Sequence, residues 1–161
     1  MDFLDILKQE LSDVPSAAEF TRIAIRLLAA IILGGLVGLE REAAGKAAGL
    51  RTHMLVALGA ALTLVVAHRM DIPGPDQSRI IQGLVTGVGF LGGGAILKIT
   101  DERRIRGLTT AAGIWMTASI GIAVGAGKLA TAIMATFLTF VVLRLLQLLE
   151  ARFFPETNED A

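Results

Sequence analysis

The sequence predicts an all-α, polytopic membrane protein: about five closely packed transmembrane helices preceded by a short amphipathic helix. Three observations carry that prediction. Hydrophobic residues make up 53% of the 161 residues, and the mean hydropathy is +0.65. Charged residues make up only 19%, against roughly 25% in soluble domains. The charges are also gathered into short stretches with long apolar runs between them. A soluble helical bundle of this size would instead carry a polar face on every helix.

The N-terminus places Phe3, Leu4, Ile6, Leu7 and Leu11 at helical spacing, with Asp5, Lys8 and Glu10 elsewhere, which reads as a helix lying on the membrane surface. Pro15 ends it. Ser16-Ala17-Ala18-Glu19 is a capping box and predicts a new helix start. The acidic start Met1-Asp2-Phe3-Leu4-Asp5 lacks a basic region, so no cleavable leader is expected.

Five apolar spans follow, at about Ile23–Leu39, Leu50–Ala67, Ile80–Leu97, Leu108–Ala126 and Leu129–Leu149. A membrane helix needs about 20 mostly apolar residues, and the last three spans meet this comfortably. The first two are shorter and also fit a buried hairpin. The organisation expected is one transmembrane domain over residues 1–150 and a short cytoplasmic tail over 151–161, acidic and disordered, with no room for a second soluble domain.

Orientation follows from basic residues. With five spans, one side holds Arg41, Lys46, Arg51, Lys98, Arg103, Arg104, Arg106, Arg144 and Arg152. The other holds Lys8, Arg22, Arg26, Arg69, Arg79 and Lys128. The richer side is expected to be cytoplasmic, which puts the N-terminus outside and the C-terminus inside. Charge balance is otherwise even, 15 basic against 15 acidic residues, so no nucleic-acid partner is expected. With no cysteine, neither a disulfide framework nor a thiolate metal site is possible.

Glycine carries the next layer of information. Arg26, Ala30, Gly34 and Gly38 recur at steps of four in the first span. Gly113, Thr117, Gly121 and Gly125 do the same in the fourth. The third holds Gly83 and Gly87, then Gly89 and Gly93 within Gly87-Val88-Gly89-Phe90-Leu91-Gly92-Gly93-Gly94. Lipid gives no hydrophobic drive for helix association, so small residues that let backbones approach are expected to be packing seams. Gly92-Gly93-Gly94 also fits a weakened helix whose carbonyls a ligand could approach. The soluble reading of Gly87-x-Gly89-x-x-Gly92 as a dinucleotide fingerprint fails, because no strand precedes it and no βαβ unit surrounds it.

A cytoplasmic-side polar cluster is expected from Glu40, Arg41, Glu42, Arg51, Arg104, Arg106, Thr109 and Thr110. Glu40 ends the first span, where the helix dipole disfavours an anion, so it needs a cation, with Arg51, Arg103, Arg104 or Arg106 as candidates. Thr109 is placed to cap the fourth span. The arginines and the N-termini of the second and fourth spans would attract anions, whether a ligand or lipid phosphate. On the other side, Arg26 is expected to pair with Asp71 or Asp76, or to snorkel to headgroups. His53 and His68, at span ends, read as interfacial polar groups, and Trp115 as packing.

Three ordered blocks then resemble the MgtC/SapB family: Gly38-Leu39-Glu40-Arg41-Glu42 with Gly49-Leu50-Arg51-Thr52-His53, Gly87 to Ile96, and Arg106 to Trp115. The resemblance covers most of residues 23–145. It implies a bacterial inner-membrane protein with its N-terminus outside. Family members are labelled magnesium-transport proteins. The best-known ones are linked to growth in low magnesium and survival in host phagocytes, by restraint of other membrane machinery such as the ATP synthase. Those members carry a soluble C-terminal domain, whereas this chain ends shortly after the fifth span.

The expectation is therefore a non-enzymatic membrane protein, a homodimer by its glycine seams, that binds or regulates other membrane proteins. Its virulence link comes from the resemblance alone. The alternative is a transporter or channel for Mg²⁺ or another cation. Mg²⁺ favours oxygen ligands and carboxylates, and no Asp or Glu lies inside a span, so no side-chain ligand supports it as a cofactor. A lipid-modifying enzyme would need a nucleophile–base pair, which only the weak grouping of His53, Thr109 and Thr110 suggests.

Overall fold

The computed structural model describes residues 2–10, 12, 16–70, 72–99 and 104–146. Pro15, Asp71, Arg103 and the tail 151–161 lie outside the described residues, as do the side chains of Lys98 and Arg104.

The described residues are helical almost throughout. The N-terminal segment forms α1 (Phe3–Glu10). Next come α2 (Ala17–Ala43), α3 (Leu50–Arg69), α4 (Gly74–Gly94), α5 (Leu108–Gly125) and α6 (Leu129–Val141), which runs on as a π-helical turn over Val142–Leu146. Ser16 caps α2 as the sequence predicts, its hydroxyl accepting from the Glu19 amide at 3.2 Å.

Two readings of the spans change. The first two are not the short ones: α2 has 27 residues and α3 has 20. Helix α2 passes its apolar run at both ends because Ser16 caps a start ahead of Ile23 and because Glu40 and Arg41, beyond Leu39, pair with each other. By length and composition α2, α3 and α5 can each cross a membrane, and α6 with its extension is a shorter apolar helix. Helix α4 is 21 residues long, but its first turns carry Asp76, Gln77, Ser78 and Arg79. A small antiparallel ladder, β1 (Leu97–Ile99) on β2 (Arg104–Arg106), ties α4 to α5 with Leu97 opposite Arg106; apolar periodicity gave no hint of it.

Helices α2, α3 and α5 pack on one another and form the core, with α6 against α5 and α2, and α4 against α5. Buried Ala30, Val37, Ala57, Ala61, Ile120 and Val124 fill it. Small residues set the spacing. A methyl group on Gly34 would lie 2.7 Å from the His53 carbonyl oxygen, and one on Gly121 would collide with the Ala57 carbonyl. The α2 and α5 stripes are therefore packing seams onto α3.

Two helices end on the same device. In both, a glycine at positive φ lets the chain turn back on the helix end: Gly45 at 65° after α2, and Gly127 at 75° after α5. The Lys46 amide donates to the Arg41 carbonyl at 3.0 Å, and the Lys128 amide to the Ala123 carbonyl at 2.8 Å.

The α4 glycines behave differently. Gly92 meets Ala111 of α5, but Gly83, Gly87, Gly89, Gly93 and Gly94 have open space where a side chain would stand. The helix runs unbroken through Gly94, and the Gly92 and Gly93 carbonyls accept from the Ala95 and Ile96 amides at 3.1 Å each.

Candidate functional site

The end of the bundle where α2 turns into α3 and α5 begins holds a buried polar cluster. Glu40 is 5% exposed, Arg41 2% and His53 0%. Arg41 Nε donates to Glu40 Oε2. A cation that Glu40 needs is thus its own neighbour, which was not among the expected candidates. Adjacent residues point about 100° apart on a helix, so this pairing needs both side chains to bend towards each other in a cleft that excludes water. Arg51 is exposed instead.

Glu42 has a separate task. Its Oε2 accepts from the Leu50 amide at 2.8 Å, so a carboxylate from α2 caps α3. That position also suits the positive end of the α3 dipole. Gly49 permits the contact, since a methyl there would lie 2.8 Å from Glu42 Oε2.

His53 is a core residue rather than an interfacial one. Its Nδ1 lies 2.9 Å from the Gly49 carbonyl, which fixes the ring by a bond to the preceding turn. Gly113 of α5 leaves room for the ring, with a methyl at that position 3.5 Å from His53 Nε2. Two buried polar atoms at this α3–α5 seam, His53 Nε2 and Thr117 Oγ1, have no hydrogen-bond partner among the described residues. His68, by contrast, is exposed.

Thr109 does not cap α5. The cap position is Gly107, with no side-chain hydrogen bond, because the chain there passes so close to the Ala95 carbonyl that no side chain fits. Thr109 is exposed in the first turn, whereas Thr110 is buried. Thr110, Lys46 and Arg106 line a cavity of about 370 Å³. Of the expected cluster, the structure thus joins Glu40 with Arg41, sets Glu42 on α3, and places Thr110 beside Arg106. Arg51 and Thr109 stand apart. Trp115 is 47% exposed and lines an apolar groove with Met134 and Leu138 of α6.

The opposite end carries a cluster that sequence reasoning paired differently. Arg26 Nη1 donates to the Gly125 carbonyl at 3.0 Å, so it neutralises the C-terminal end of α5. Gly127 is packed under that guanidinium, with 2.6 Å from a methyl there to Arg26 Nη2. Asp76 lies 3.3 Å from Arg79, and Glu19 is 3.5 Å from Arg69 Nε. The Ala-Gly stripe carrying Arg26 was the available hint that this arginine faces protein.

Among the described residues, no group of three or more His, Asp or Glu side chains is arranged to hold a metal ion.

Comparison with known proteins adds the rest. A family model described as the MgtC family matches residues 27–152. The chain is 44% identical over 135 residues to "Putative magnesium transporter YhiD" of Escherichia coli (strain K12), covering 80% of this chain and 62% of that one. It is 39% identical over 132 residues to Protein SrpB of Synechococcus elongatus, covering 75% and 72%. It is 42% identical over 121 residues to Protein MgtC of Brucella abortus (strain 2308), covering 75% and 50%. The chain therefore spans between half and three quarters of these relatives' lengths. No solved structure matches it.

Proposed function

Because the chain belongs to the MgtC family, and is a membrane protein related to magnesium physiology, we propose that it is a non-enzymatic regulator of the bacterial inner membrane that works by binding other membrane proteins. One observation carries this reading. The outward face of α4 is built from the wrong residues for lipid. Gln82, Thr86, Gly89 and Gly93 form one exposed stripe, and Gly83, Gly87, Phe90 and Gly94 form the next. Lipid-facing helix surfaces are large and apolar, whereas small and polar residues mark helix–helix contacts. The Thr86 hydroxyl satisfies itself on the Gln82 carbonyl at 2.8 Å. The Gln82 amide has no partner among the described residues, and hydrocarbon offers it none.

The face also has a knob. Phe90 is 85% exposed and stands among glycines that leave open space. In a two-fold pair each Phe90 enters the glycine floor of the other copy, a self-complementary arrangement. The proposed resting state is such a homodimer, with five crossings, the N-terminus outside and the C-terminus cytoplasmic. Its targets under magnesium limitation are other polytopic complexes, of which the ATP synthase is the one the family resemblance suggests.

The transport label in the YhiD name supports a second reading, Mg²⁺ conduction. The carboxylates nearest the membrane edge weigh against it, since Glu40 is held by Arg41 and Glu42 by the α3 amide. Two measurements on purified protein separate the readings. Gly93→Leu is expected to abolish self-association by energy transfer in liposomes, and unchanged association removes α4 as the interface. Mg²⁺ flux down a gradient into liposomes, above that of empty vesicles, would favour transport over regulation.

A further inference from the structure

A cavity of about 360 Å³ opens at the end of the bundle opposite Glu40, between the start of α2 and the end of α3. Its lining includes Ser16, Glu19, Arg22, Arg26, His68 and Arg69. Three guanidiniums thus share one small space with a single carboxylate among the described lining residues. Two of them are anchored, each differently. Arg26 is held by the Gly125 carbonyl at 3.0 Å, and Arg69 stands 3.5 Å from Glu19. Arg22 is exposed and makes no side-chain hydrogen bond or ion pair among the described residues.

We propose that this cavity is a binding site for a phosphate group, with Arg22 as the principal ligand and Arg26 and Arg69 as fixed cationic walls. Three reasons support phosphate over a general surface charge. Three cations outnumber the one carboxylate among the described lining residues, and that excess positive charge favours an anion in the cavity. Guanidinium presents a planar fork of donors that matches phosphate oxygens two at a time. The site also sits at the N-terminal end of α2, whose free amides favour negative charge. The volume suffices for an oxyanion and its waters, since a liquid water occupies about 30 Å³. The ends of two membrane-crossing helices bring the cavity to the headgroup level, so the phosphate can come from a lipid or from solution.

The test uses the full chain in neutral detergent at matched ionic strength. Thermal melting is followed while either inorganic phosphate or short-chain phosphatidylglycerol is added. The expected result is a saturable rise in melting temperature with at least one probe. Arg22→Gln should weaken the apparent affinity about tenfold, the scale of losing one charge-assisted contact. Arg22→Lys, which keeps the charge, should retain most of it. Arg79→Gln, a charge loss outside the cavity, should leave it unchanged. Saturation with the lipid alone assigns the phosphate to a headgroup, and saturation with both shows that free phosphate suffices. If neither probe saturates, if Arg22→Gln binds like the unaltered chain, or if Arg79→Gln weakens binding equally, the proposal is wrong.

Discussion

Glu40 and Arg41 are neighbours in sequence and partners in space, and both are almost wholly buried. Removing one member of such a pair leaves the other charge buried alone, which costs more than the pair itself contributes. Glu40→Gln is therefore expected to destabilise the protein by on the order of 3 kcal/mol, read as a lower melting temperature in detergent. Melting and function equal to the unaltered chain would remove Glu40 from the site. Sequence reasoning saw that Glu40 needs a cation and could not see which. A residue one position along normally faces another direction, and only the packed cleft makes it the partner. His53 escaped for a similar reason. A histidine one turn from a helix start looks interfacial until Gly113 of another helix is known to make room for it.

At the level of helices, glycine has two opposite meanings. On α2 and α5 it admits the backbone of α3, and Gly121→Leu should prevent that contact and leave the bundle unfolded or aggregated in detergent extraction. At Gly83 of α4 there is nothing to admit within one copy, so Gly83→Ala should cost the dispersed, monomeric protein no stability and raise it by up to about 1 kcal/mol through helix propensity. An equal loss at the two positions would contradict the distinction. The stripes on α2 and α5 were legible because spacing by four places small residues on one face. The same spacing on α4 predicts a seam equally well. It does not say whether the partner helix lies in the same chain. The short β ladder was not legible at all, since three-residue strands lie below any periodic pattern.

Across the whole molecule, the core of α2, α3 and α5 is a fixed scaffold with polar clusters at its two ends. One is closed by the Glu40–Arg41 pair and the other is the arginine-lined cavity. Helix α4 stands at the edge with its small, polar face turned away. The class of the fold was readable from composition and apolar runs alone. The site was not, because each pairing depends on how three helices meet. The α4 face is the proposed protein contact in the membrane. The chain has no cysteine, so one introduced thiol reports one position. Single Gly87→Cys and Ile133→Cys proteins are oxidised in native membranes, Ile133 being exposed on α6. Rapid disulfide crosslinking is expected at position 87 and little at 133. Equal crosslinking at both positions, or none at 87 either to itself or to another membrane protein, would contradict it.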